Sequence, residues 1–400
     1  VSIHEPTSLQ ERIPRWPRQT GDEQGLLAEI LATEAWGSSA GHFVHDFEDA
    51  FAAYHDAPHA LACANGTIAL ISALSVLDLP FGSEVIVPSY TFIATAAAPA
   101  FLGLVPVFCD TLPGRYTMDP GALAQLVGPR TSAIVPVHLG GAPCEMDEIM
   151  AVARGAGVPV IEDAAQAAGI RYKGRAIPVG DMATFSFQSS KNLASGEGGA
   201  IVTRDDELAS RLFSFVNVGR VPGGAWYDHR TFGMNLRLSE FQGAILREQL
   251  KAHPELQKVR RDNAERLAAA LAGVDGIEVP PVMFDDGSTH GQHLFLMRFP
   301  TLTADRRDEL AGLLHAAGLT GASTGYVPLH RNPALLGQVA KVCEALGRSV
   351  PEAHCPNTDR LVDETIWLPQ TVLLADPEVV DAVADIVVTA FREVSGGASS

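Results

Sequence analysis

Between residues 84 and 203 the chain alternates short, nearly continuous apolar runs with segments of helical pattern. The runs are EVIVP (84–88), VPVFCD (105–110), TSAIVPVHL (131–139), VPVIEDAA (158–165), ATFSFQ (183–188) and GAIVT (199–203). A strand with one wet face alternates polar and apolar residues, whereas these runs are apolar on both faces. Among the intervening segments, MDEIMAVARGAG (146–157) reads as a helix that ends in glycines. The alternation predicts an α/β fold: a mostly parallel sheet with helices covering both faces. Ligands of such sheets sit beyond the carboxyl ends of the strands.

Four hundred residues suggest about two domains and a large core. Residues 1–20 are polar and carry Pro6, Pro14 and Pro17, the texture of an extended arm. From Asp22 the apolar residues Leu26, Leu27, Ile30 and Leu31 recur at helical spacing, and a second helix is expected near Phe43 to Tyr54. NGTIALISALSVL (65–77) reads as a glycine turn feeding a helix. The texture changes after Pro254, where ELQKVRRDNAERLAAALA (255–272) predicts a charged amphipathic helix. A strand at HLFLMRF (293–299), a helix at 304–317 and a last helix at 377–394 follow. The expected division is an arm at 1–20, a large domain at 21–252 and a smaller α/β domain at 253–400, with a disordered tail SGGASS.

A formal charge of -18 argues against nucleic acid or an anionic membrane as the main partner. The five cysteines are scattered, odd in number and form no CxxC pair, so neither a disulfide framework nor a structural metal site is expected. Thiols of this kind fit a reducing cytoplasm. No apolar signal-peptide core opens the sequence, and no run approaches the roughly 20 apolar residues that span a bilayer.

Two residues change the picture from fold to chemistry. VIEDAAQAAG (160–169) ends a strand on Glu162 and Asp163, and Lys191 sits in the small-residue stretch FSFQSSKNLASGEGGAIVT. Alone, a strand-end acid reads as a cap or an ion pair, and a lone lysine as a solvated one. Together they are what a pyridoxal phosphate site needs. The lysine forms a Schiff base, and the carboxylate pairs with the pyridinium nitrogen and keeps it protonated. A buried lysine of lowered pKa then serves as a base once substrate displaces it. Asn65-Gly66-Thr67 opens a helix, whose first N–H groups favour an anion, and Ser186 lies five residues before Lys191. The glycines of GEGGA precede a strand rather than a helix, which excludes a dinucleotide loop.

Taken in order, FEDAFAAYHDAPHALACANGTIAL, EVIVPSYTFIATAAA, IVPVHLGGAPCEMDEI, VIEDAAQAAGIRYKGR, FSFQSSKNLASGEGGAIVT, GMNLRLSEFQGAILREQL and YVPLHRNP run over nearly the whole chain. With them the chain resembles the DegT/DnrJ/EryC1/StrS sugar aminotransferases, fold type I of the pyridoxal phosphate enzymes. The resemblance implies a large domain with the parallel sheet and a smaller C-terminal domain. It makes Lys191 the Schiff-base lysine and Asp163 the partner of the pyridinium nitrogen. Gln166 would sit near the phenolic oxygen, Phe92 would stack on the ring, and Gly66, Thr67 and Ser186 would hold the phosphate. Asn235 would reach the phosphate from a neighbouring subunit of a homodimer, with Trp36 and His330 near the substrate. Pyridoxal phosphate and pyridoxamine phosphate are the implied cofactor forms.

Within the family, the Lys191 motif and CPNTDRLVDETIWLPQTVLLA look most like glutamine-using cyclitol (scyllo-inosose type) aminotransferases and 3-amino-5-hydroxybenzoate synthases. Ala168 stands where the family often has His. A dehydratase variant of the family has His in place of the lysine; Lys191 implies transamination. The expected reaction moves an amino group from L-glutamine or L-glutamate to a cyclitol ketone or ketosugar. Elimination and aromatisation, as in 3-amino-5-hydroxybenzoate synthases, is the alternative.

Overall fold

A computed structural model describes residues 8–396. Each of the six expected runs holds a strand, and a seventh strand precedes them: β1 (His59–Cys63), then β2 (Glu84–Pro88), β3 (Val105–Cys109), β4 (Thr131–Ile134), β5 (Ile161–Asp163), β6 (Met182–Ser186) and β7 (Gly199–Thr203). They form two hydrogen-bonded groups, β1-β7-β6-β5 and β3-β2-β4. Parallel bridges Ile134–Val160 and Val137–Asp163 join β4 to β5, so the spatial order is β1-β7-β6-β5-β4-β2-β3. All neighbours are parallel except β7, which runs antiparallel to both β1 and β6. The loop between β6 and β7 carries no helix and folds back on itself, with Phe187 N–H bonded to Gly198 O and Ser189 N–H to Gly196 O, so the chain returns as a hairpin rather than through a helical crossover. β1, HALAC, has no β-branched residue, and the sequence pattern does not announce it.

Helices cover both faces, including Gly66–Ser75, Ala94–Phe101 and Met146–Ala156. One core lies between the sheet and its helices and includes Leu70, Leu74, Val85, Val87, Ile161 and Ile201. A second core gathers residues from 264 onward around the antiparallel pair β8 (Leu294–Arg298) and β9 (Thr365–Pro369), and takes in Ile13.

The helix expected at 255–272 begins earlier. It is one element of 32 residues, Glu240–Leu271, that runs through Pro254. Proline removes one ladder hydrogen bond, and here packing outweighs the loss. The helix lies against Phe43–Tyr54 in its first half and against Pro377–Gly396 in its second. The arm is not wholly extended either: Leu9–Arg12 forms one helical turn, with Ser8 and Glu11 closing a capping box. The last helix takes in Ser395 and Gly396, and the rest of the expected tail lies outside the described residues.

Two histidines couple this core to pH. His55 is fully buried, with Nδ1 3.0 Å from the Ile177 carbonyl, and burial lowers its pKa from 6.5 to about 4. His253 bonds Tyr54, and burial, helped by Arg260, lowers it to about 3. Both are neutral in the fold and gain a proton on unfolding below pH 6.5. The folded state therefore loses stability as pH falls from 6.5 toward about 4, by roughly 1.4 kcal/mol per pH unit per histidine. Urea denaturation at several pH values is expected to show this slope, and His253→Gln to reduce it.

Candidate active site

The carboxyl ends of the strands open onto a cavity of about 970 Å³. β5 delivers Asp163 to it. Strand alternation sends adjacent Glu162 the other way, where its carboxylate accepts from the backbone N–H groups of Val179 and Gly180 and meets His138 Nε2 at 2.8 Å. The Cys144 N–H donates to His138 Nδ1, so the imidazole proton sits on Nε2, toward Glu162. Glu162 is thus committed to the scaffold.

Asp163 is buried, and burial pushes its carboxyl above the ordinary value. The Thr95 hydroxyl (2.8 Å) and the Ala165 N–H (3.1 Å) bond its two oxygens and oppose that shift, as does the charge of Lys191. Lys191 follows β6 through a tight loop held by Phe187 N–H to Gly198 O and Ser189 N–H to Gly196 O. Its main-chain oxygen accepts from Trp16 Nε1 at 2.8 Å, so the N-terminal segment pins the backbone of the lysine. Burial lowers the Lys191 amine from 10.5 to about 8, with Asp163 pulling it back upward. Burial is the cause of the low value, and among the described residues Asp163 is the charge that opposes it.

The wall opposite is the start of helix Gly66–Ser75. Asn65 caps it by accepting from Ile68 N–H at 2.9 Å. The N–H groups of Gly66 and Thr67 lie in the first turn, have no intrahelical acceptor and take none elsewhere among the described residues. Thr67 and Ser186 add hydroxyls to the same wall. The close approach is possible only with glycine. A Cβ on Gly66 would stand 2.7 Å from Ser186 Cβ, and one on Gly199 would stand 2.5 Å from the Asn65 carbonyl. Gly199→Ala is expected to push the helix start off the strand. It should cost about 1–3 kcal/mol of stability in denaturant titration and weaken anion binding at the helix start.

Gln166 Oε1 accepts from Gly140 N–H, and its Nε2 donates to Tyr326 at 3.0 Å. Phe92 is 55% exposed at the cavity, with its ring 6.3 Å from that of Tyr326. Seven candidate residues therefore share one cavity: Gly66, Thr67, Phe92, Asp163, Gln166, Ser186 and Lys191. Three stand apart. Asn235 lies exposed on the surface, and Trp36 packs beside Phe241 at 5.9 Å. His330 bonds Ser89 at 2.5 Å and faces Asp359 at 3.2 Å, without lining the cavity. Thr95, Tyr326, Trp16 and His293 belong to the site or its support and are not among the sequence candidates; Thr95 and Tyr326 fall within quoted family motifs, whereas Trp16 and His293 carry no such signal.

This geometry meets a consistent pattern among known proteins. The description "DegT/DnrJ/EryC1/StrS aminotransferase family" matches residues 17–388. The chain belongs to this family. It is 37% identical over 382 residues to the 3-amino-5-hydroxybenzoate synthase of Amycolatopsis mediterranei, a match covering 94% of this chain and 97% of that one. It is 38% identical to the dTDP-3-amino-3,4,6-trideoxy-alpha-D-glucose transaminase of Streptomyces venezuelae, covering 90% and 92% of the two chains. The crystal structure of a 3-amino-5-hydroxybenzoic acid synthase superposes with a TM-score of 0.87 at 36% identity, over 95% of this chain and 99% of that one. The DegT/DnrJ/EryC1/StrS proteins are pyridoxal phosphate-dependent aminotransferases of fold type I, and this chain is one of them. Among the described residues no helix is long and apolar enough to cross a membrane, and no three His, Cys, Asp or Glu side chains gather to hold a metal.

Proposed function

We propose that this chain transfers an amino group from L-glutamine or L-glutamate to a cyclic ketone, a cyclitol ketone or ketosugar, as a cytoplasmic enzyme of amino-sugar or aminocyclitol assembly. One observation carries the reading: a single cavity holds a lysine of lowered pKa, a buried carboxylate and a helix start with unclaimed N–H groups. Those groups fit pyridoxal phosphate. The N–H groups of Gly66 and Thr67, with the Thr67 and Ser186 hydroxyls, would hold the phosphate. Phe92 would lie against the ring, Gln166 near its phenolic oxygen and Asp163 near its nitrogen, since all three line the same cavity. The cofactor supplies an aldehyde to carry the amino group and a ring to take up the electron pair released at Cα. Lys191 would be its covalent anchor and, once displaced, the base whose Nζ would take the Cα proton of the donor and return a proton to the acceptor carbon in the second half-reaction, a role its lowered pKa supports. Donor and ketone use the cavity in turn. The cofactor-binding domain spans 21–252 and the smaller domain 253–400, with the N-terminal arm packing Trp16 beside Lys191. Exposed Asn235 reaches the phosphate of a neighbouring protomer in a homodimer; Trp36 and His330 serve the substrate side.

The test is the visible absorption of the protein charged with pyridoxal phosphate. L-glutamine or L-glutamate alone should bleach it, and scyllo-inosose or a nucleotide-linked ketohexose should restore it. Failure of both donors would reject the transamination reading. A second reading has support in the 37% identity to a 3-amino-5-hydroxybenzoate synthase: loss of water from an aminated cyclohexenone to give an aromatic amine. Incubation with aminodehydroshikimate separates the two, because only the second forms an aromatic product.

A further inference from the structure

His293 immediately precedes β8, is buried, and borders the cavity that holds Lys191. Its Nδ1 lies 2.9 Å from Asn192 Oδ1. The orientation of Asn192 is set by its other neighbours. Its Nδ2 donates to the Gly291 carbonyl at 2.7 Å, and a carbonyl can only accept. Gln257 donates to the carbonyls of His290 and Gly291, which turns its Oε1 toward the same Asn192 amide. Asn192 thus presents its oxygen to the imidazole, and the proton of His293 sits on Nδ1. Burial, with Lys191 and Arg260 close by, keeps the ring neutral. Nε2 is then a bare lone pair. It has no hydrogen-bond partner among the described residues, yet it is not one of the enclosed polar atoms that lack one. It opens to solvent space, and the space His293 lines is the cavity.

We propose that His293 is a specificity-determining residue whose Nε2 accepts a hydrogen bond from a hydroxyl group of the ketone substrate. The inference rests on the reading of this cavity as a site of ketone amination. A lone pair repels the carboxylate of an amino donor, which has no proton to offer; a hydroxyl supplies one. A site built around such a bond rejects an analogue lacking the hydroxyl far more strongly than an apolar pocket does, because the acceptor is left unpaired.

Nitrogen NMR of the histidine-labelled holoenzyme, assigned with His293→Gln, is expected to find Nδ1 protonated and Nε2 bare. A proton on Nε2 overturns the proposal outright. In separate half-reactions, His293→Phe should lower kcat/KM for the ketone at least tenfold more than for L-glutamine. Scyllo-inosose and a dTDP-linked 3-ketohexose serve as the ketones. His293→Gln, whose amide oxygen can stand near the place of Nε2, should recover part of that loss. Equal losses in the two half-reactions, or a larger loss with L-glutamine, overturn it. If no donor bleaches the wild-type protein, the amination reading itself fails, and the NMR result shows that failure to be separate from the tautomer.

Discussion

Lys191→Ala is expected to lower turnover by about 10⁴-fold or more while the protein stays folded. The residue is half-buried, and among the described residues Asp163 is the one anion that acts on its amine. Removing a poorly paired cation from such a place relieves a desolvation cost, so thermal stability should hold or rise. On the proposed reading the loss is chemical: the anchor for the cofactor and the base for the Cα proton would disappear together. Donor-dependent bleaching after mixing measures it, with circular dichroism as the control for folding. Turnover within a hundredfold of wild type would place the base elsewhere. The wild-type amine has its own signature. With a pKa of about 8, far more of it is neutral at physiological pH than of an ordinary lysine at 10.5. Uptake of pyridoxal phosphate by cofactor-free protein, which needs the neutral amine, should speed up with pH and level off above about 8.

How far this site can be read from the amino-acid sequence depends on whether the signal is local. β2 and β3 announce themselves because a strand buried on both faces is apolar nearly throughout. β1 does not, since its small residues fit a helix or a loop equally well, and tertiary pairing with β7 decides. The helix through Pro254 was legible only in its second half, because proline is a local stop signal that packing on both sides overrides. Lys191 and Asp163 stand out by type and spacing. The separate fates of Glu162 and Asp163 do not, because strand alternation says only that they face opposite sides. Tyr326, His293 and Trp16 reach the cavity from distant parts of the chain, and no periodicity marks them. Asn235 and Trp36 sit away from the cavity of their own chain, where only a resemblance pointed to them.

Asp163→Asn should cost roughly 10²- to 10³-fold in the donor half-reaction, without loss of the fold. Asparagine has the same shape. Its oxygen can still accept from Thr95 or from the Ala165 N–H, so little packing changes. What goes is a negative charge that burial already makes costly and that the Thr95 hydroxyl and the Ala165 N–H work to keep. A protein that spends two hydrogen bonds on an ionised carboxyl at the back of its cavity uses the charge. In the proposed reaction its place there would be to hold a proton on the ring nitrogen of the cofactor while charge builds at Cα. Thr95→Val, which leaves the carboxylate but removes one of its partners, should cost less, about tenfold. The same substitution at 163 has a second readout, independent of turnover. Asp163 is the group that raises the Lys191 amine, so in Asp163→Asn that amine must titrate below about 8. The pH profile of cofactor uptake should move to lower pH, and an unmoved profile would mean that the two residues do not share one electrostatic site.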